Sequence, residues 1–137
     1  MYQKPSGAFV MASWVALGAG VVGFLIGIWK AEMQLNEKGY YFTVLMFGLY
    51  TAISVQKAVR DRLEGIPVTD LYYGISWVFT LMSIALMIIG LWNADMIMES
   101  KMMYAFAFLL SMFGVIAVQK NVRDSIGVPD KNFTTGE

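Results

Sequence analysis

The heptapeptide VQKAVRD at residues 55–61 returns as VQKNVRD at residues 118–124, with one residue of seven changed. The copies stand 63 residues apart, and sliding the chain by that interval aligns its halves without a gap from Trp14 to Asp61. Trp14 meets Trp77, Gly27 meets Gly90, and Trp29 meets Trp92. Glu32 meets Asp95, Lys38 meets Lys101, and Tyr41 meets Tyr104. The chain is an internal duplication, and the apolar stretches between the matched ends have drifted apart.

The apolar stretches name the environment. Of 137 residues, 58% are hydrophobic and 15% charged, with a mean hydropathy of +0.59. A soluble domain of this size carries about 25% charge. Charged residues leave four uncharged runs, at 5–29, 39–56, 71–94 and 102–119. A spanning helix needs about 17 to 25 mostly apolar residues, so each run predicts one span. A soluble bundle would need a polar stripe on every helix, and FLIGIW and MIIGLW offer none. The two 18-residue runs reach about 27 Å and should tilt least. Lys4 is the only early cation and no convincing small-x-small cleavage site follows. The first run is therefore expected to be retained rather than cleaved as a signal peptide.

The fold class expected is all-α and membrane-integral, with four transmembrane helices in two tandem hairpins. The first hairpin takes residues 8–64, with spans at about 8–29 and 39–56. The second takes 71–127, with spans at about 71–92 and 102–119, and 128–137 form a polar tail. Both hairpins enter from the same side, so the repeats are parallel and related by an axis along the membrane normal. Lys4, Lys57, Arg60, Arg62, Lys120, Arg123 and Lys131 fall on one side, against Lys30, Lys38 and Lys101 on the other. The excess of basic residues places both termini in the cytoplasm.

The segments GIWKAEMQLNEKGYYF (27–42), QKAVRDRLEGIP (56–67), GLWNAD (90–95) and VQKNVRD resemble the YiaA/YiaB inner-membrane protein family. That family is built from the two-helix YiaAB domain, and the resemblance covers about residues 14–124. It implies four spans and a bacterial inner membrane. It supplies no reaction and no catalytic residues.

Absences exclude much chemistry. Without Cys or His there is no disulfide exchange, no Cys/His zinc site and no histidine-ligated haem. No cofactor, metal or nucleic-acid partner is expected, and the eleven methionines read as gap fillers. No Asp, Glu, Lys or Arg lies within a run, which disfavours proton-coupled transport. The expected function is therefore non-enzymatic, that of a structural or interaction subunit with an envelope-related role. The alternative is a passive channel formed by a homo-oligomer and lined by Thr43, Thr51, Ser54, Thr80 or Ser111.

Three groups of residues are candidates for that function. The repeated polar ends supply Gln56, Lys57, Arg60 and Asp61, and Gln119, Lys120, Arg123 and Asp124. They read as headgroup anchors, each cation worth about 1 kcal/mol. They also read as a network that docks the hairpins, Arg60 with Asp124 and Arg123 with Asp61. A site for a membrane-protein partner or an anionic ligand is the third reading. The outer motif sets Trp29 three residues before Glu32, and Trp92 three before Asp95, so each pair should share a helix face. An acidic outer ring of Glu32, Glu37, Asp95 and Glu99 that attracts cations is its functional reading. Small residues Ala16, Gly20, Gly23, Gly27 and Gly48 should let helices approach closely, within the chain or in self-association through the lipid bilayer.

Overall fold

A computed structural model describes residues 4–127 as four helices: α1 (Gly7–Lys30), α2 (Leu35–Leu63), α3 (Asp70–Asn93) and α4 (Met98–Gly127). All four are long and apolar enough to cross a membrane. The tail at 128–137 lies outside the described residues.

The helix boundaries repeat as faithfully as the sequence does. Ser6 caps α1 by accepting from the Phe9 amide at 3.2 Å, and Thr69, its counterpart, caps α3 by accepting from Tyr72 at 3.1 Å. Such caps satisfy an amide that the first turn leaves unpaired. At the other end, Ala31 and Ala94 are extended and stop α1 and α3. Lys38 donates to the Trp29 carbonyl at 3.1 Å and Lys101 to the Trp92 carbonyl at 3.3 Å. Each ammonium thus meets the negative end of a helix dipole. Glu32 and Asp95 consequently fall in the turns beyond the helices, which corrects the expectation that they share a helix face with Trp29 and Trp92.

Helices α2 and α4 run well past their uncharged segments, reaching 29 and 30 residues. At 1.5 Å per residue α2 is about 44 Å long rather than 27 Å. It ends where Gly65 adopts φ 75° and the Ile66 amide reaches back to the Asp61 carbonyl at 2.8 Å. Positive φ at that position suits glycine, and Pro67 follows.

The helices of one repeat are neighbours in sequence but make few contacts with each other. Instead α1 packs mainly on α4, α3 mainly on α2, and α2 meets α4. The pseudo-twofold axis carries α1 onto α3 and α2 onto α4, so the α1–α4 and α3–α2 contacts are equivalent. The buried core follows the same axis: Phe24 and Met87 are equivalent positions, as are Leu45 and Phe108.

Close approach is arranged reciprocally. A Cβ on Gly20 would meet Ser111 Oγ at 2.5 Å, so α1 gives way to a serine on α4. In the equivalent contact Ser83 on α3 faces Gly48 on α2, whose added Cβ would lie 3.3 Å from Ser83 Oγ and 2.9 Å from Phe108. Each interface has one glycine and one serine, on opposite partners. Gly27 fits under the Tyr104 ring, 2.8 Å from a built Cβ, and Ala16 is partly buried. Gly23 is different: nothing lies within 4 Å of where its Cβ would stand, so it joins no helix contact within the chain.

Candidate functional site: a charged clasp and an outer groove

The last turns of α2 and α4 come together beyond the uncharged runs. Arg60 reaches across to Asp124, and Arg123 Nη2 reaches Asp61 Oδ1 at 2.5 Å. The second oxygen of each aspartate takes a lysine of its own helix, Lys57 for Asp61 and Lys120 for Asp124, both at 2.8 Å. The two halves of the arrangement are equivalent under the repeat. The aspartates are buried, at 4% and 5% exposure, and a buried carboxylate needs this degree of pairing.

Glu64 breaks the symmetry. It accepts from Arg60 Nε at 2.5 Å and from Arg123 Nη2 at 2.9 Å, bridging both arginines. Its counterpart in the second repeat is Gly127, so comparison of the two heptapeptides could not single it out. The one altered heptapeptide position matters too. Asn121 donates to Ser13 Oγ at 3.0 Å and ties α4 to α1, whereas its equivalent Ala58 is fully buried. Asn121 Oδ1 is buried without a partner. Gln56 and Gln119 are half-buried beside the cluster and make no side-chain hydrogen bond in it.

The hydrogen bond from Lys57, joined by that from Arg123, outweighs burial and holds the Asp61 carboxyl below its usual range. Burial works against the Asp124 charge, yet hydrogen bonds from Lys120 and Arg60 prevail and lower it as well. Both aspartates are therefore anions locked to cations, unsuited to proton transfer near neutral pH.

At the opposite end, Trp29 and Trp92 point outward, 82% and 80% exposed. Behind them the α1–α2 and α3–α4 turns border an open groove of about 810 Å³ against α1 and α4. Glu32, Glu37 and Asp95 line it, as does Lys30, while Glu99 lies elsewhere. Equivalent Tyr41 and Tyr104 stack beneath it, with ring centroids 6.4 Å apart. Among the described residues no group of acids converges as a metal site would.

The hydroxyl groups at lipid depth turn inward. Thr51, Thr80 and Ser111 are buried and donate to carbonyls of their own helices at 3.0, 2.8 and 2.7 Å. Ser54 is buried as well, and of the hydroxyls expected to line a lumen Thr43 alone is exposed.

The model of the yiaA/B two helix domain matches twice, at residues 9–61 and 72–124. The chain is 52% identical to the inner membrane protein YiaA of Escherichia coli over 133 residues, covering 96% of this chain and 92% of that one. It is 31% identical to the E. coli inner membrane protein YiaB over 98 residues, 69% of this chain and 80% of the relative. A Bacillus subtilis protein, the uncharacterized membrane protein YubF, is 41% identical over 58 residues, 42% of this chain and 67% of its own. No solved structure gives a significant match. Two copies of the domain, with polar ends that meet across the repeat axis, make this chain a member of the YiaAB family.

Proposed function

We propose that the chain is a non-enzymatic protein of the bacterial inner membrane, acting as a structural or interaction subunit with both termini in the cytoplasm. The observation that carries this reading is the charged clasp. Its arginines and carboxylates are engaged with one another and hold the crossed repeats together. Lys57 and Lys120 remain about half exposed and face outward, where anionic headgroups or an acidic partner would meet them. The relatives named as inner membrane proteins support the location. The bias of basic residues supports the orientation.

Thr51, Thr80 and Ser111, three of the five hydroxyls the channel reading would use, are packed inside the chain and bonded to their own helices, which favours the structural reading over the channel. Liposome flux tests the choice. Reconstituted protein should leave salt and small-solute permeability at the level of empty vesicles, and a saturable leak would overturn the proposal. Orientation is read by single cysteines in a chain that has none of its own. Lys4→Cys should be shielded from an impermeant maleimide in intact spheroplasts, and Glu99→Cys should react.

A further inference from the structure

The outer groove straddles the pseudo-twofold axis at the two turns, but its extension along α1 has no counterpart along α3, where the equivalent space is filled. Where the first repeat has Gly23, the second has Leu86; where the second has Met103, the first has Tyr40. Tyr40 lies over Gly90, its Cε1 2.6 Å from a built Cβ, and donates to the Leu86 carbonyl at 2.5 Å. On the α1 side Gly23 and Met103 leave that volume open and line the groove. Two departures from the repeat therefore make the opening.

Two more departures equip it. Tyr41 donates its hydroxyl to the Gly90 carbonyl at 2.7 Å. Its counterpart Tyr104, only 6% exposed, makes no hydrogen bond to the protein and lines the groove. Charge is one-sided as well, since Glu37 corresponds to Ser100. Glu32, Glu37 and Asp95 form no ion pair among the described residues, because Lys38 and Lys101 are tied to backbone carbonyls. Lys30 alone stands against three carboxylates in the lining.

We propose that this groove binds a primary amine carried on an apolar body. An ammonium offers three donors and no acceptor, which suits the rim carboxylates and the free oxygen of Tyr104. The apolar body would lie against bare Gly23, Ile26 and Met103 and the stacked tyrosine rings. The volume of about 810 Å³ is that of a small-molecule site. Flanking exposed tryptophans set it at the level of the membrane interface. Amine chemistry of this kind comes either from an ethanolamine-headed lipid or from a free amphipathic amine.

The test uses the full chain in detergent, titrated calorimetrically with octylamine and with octanol as the neutral twin. Octylamine should bind saturably and octanol at least about tenfold more weakly, the loss of a charge-assisted hydrogen bond. Gly23→Leu with Met103→Tyr installs the residues of the other repeat, and should abolish binding while the unfolding temperature holds. Glu32→Gln, in an exposed turn, should weaken binding about tenfold without reference to packing. In nanodiscs, native mass spectrometry then separates the sources. Retention of phosphatidylethanolamine over phosphatidylcholine, reversed by octylamine, identifies a lipid; octylamine binding without lipid preference identifies a free amine. The proposal is overturned if octanol binds as well as octylamine, if no saturable binding occurs, or if Glu32→Gln and the folded double variant both bind like wild type.

Discussion

At its charged end the molecule pairs its two repeats reciprocally, with Glu64 the exception, whereas at its outer end it sets them against each other. Arg60 and Arg123 each cross to the other repeat's aspartate, and each aspartate takes a lysine from its own helix. At the outer end Tyr40 fills one site while Gly23 and Met103 leave the equivalent one open. The contrast is physical in origin. Two like-charged arginines near a symmetry axis are stable only if each has an acid in reach, so the clasp demands both copies of its residues. A groove needs only one copy, and relaxing the second costs little.

The largest effect should come from breaking the clasp. Arg60→Glu leaves Asp124 and Glu64 facing a third acid in a largely buried cluster. Loss of about 3 kcal/mol is expected in unfolding from detergent micelles, since removing one partner strands a buried charge. Adding Asp124→Arg should recover part of this, but not all, because the new arginine stands one turn from Lys120 and loses that lysine's pairing. If the double variant is no more stable than the single one, the cross-repeat pairs do not hold the repeats together. Lys57→Ala, at a half-exposed position, should cost under about 1 kcal/mol. An equal loss at Lys57 and Arg60 would abolish the distinction between outward lysines and inward arginines.

A smaller effect separates two glycines of one helix. Gly27→Leu collides with the Tyr104 ring, which lies 2.8 Å from a built Cβ, and should destabilise by about 1 to 3 kcal/mol. Gly23→Leu meets open space and should change stability by less than about 0.5 kcal/mol. Comparable losses would mean that α1 uses both glycines for packing, and the contrast between the ends would fade.

The finest test is pH. Because the Asp61 carboxyl is held low by Lys57 and Arg123, its contribution to stability is full above the unfolded carboxyl value of about 3.9. It declines as pH falls below that value and is gone once the folded-state group is protonated. Wild type should therefore lose stability between pH 5 and 3 more steeply than Asp61→Asn, measured in the same micelles. Parallel curves would show that the carboxylate is not held by its cations.

Much of this is legible in the amino-acid sequence. Four uncharged runs predicted four helices because lipid tolerates no unpaired backbone or charge. The twofold recurrence of Arg and Asp offered cross-repeat pairing as one reading, and the structure joins those pairs. Other features were hidden for definite reasons. Glu64 has no repeat partner, so duplication carried no signal for it. Glu32 and Asp95 left their helices because lysines six residues downstream cap the preceding carbonyls, a contact that helical periodicity does not encode. Gly23 and Gly27 both counted among the small residues expected to let helices approach, yet within the chain only Gly27 faces another helix.

By itself the amino-acid sequence determined what composition and repetition control: a membrane-spanning all-helical chain and its duplication, with the meeting of the two charged ends as one of three readings. Tertiary structure alone decided that α1 lies on α4 and α3 on α2, because short turns dictate which helices are consecutive but not which are in contact. That choice rests on shape, with Gly20 opposite Ser111 and Gly48 opposite Ser83. It also decided that one repeat fills a space the other leaves open, which depends on side chains reaching across the axis from the partner repeat.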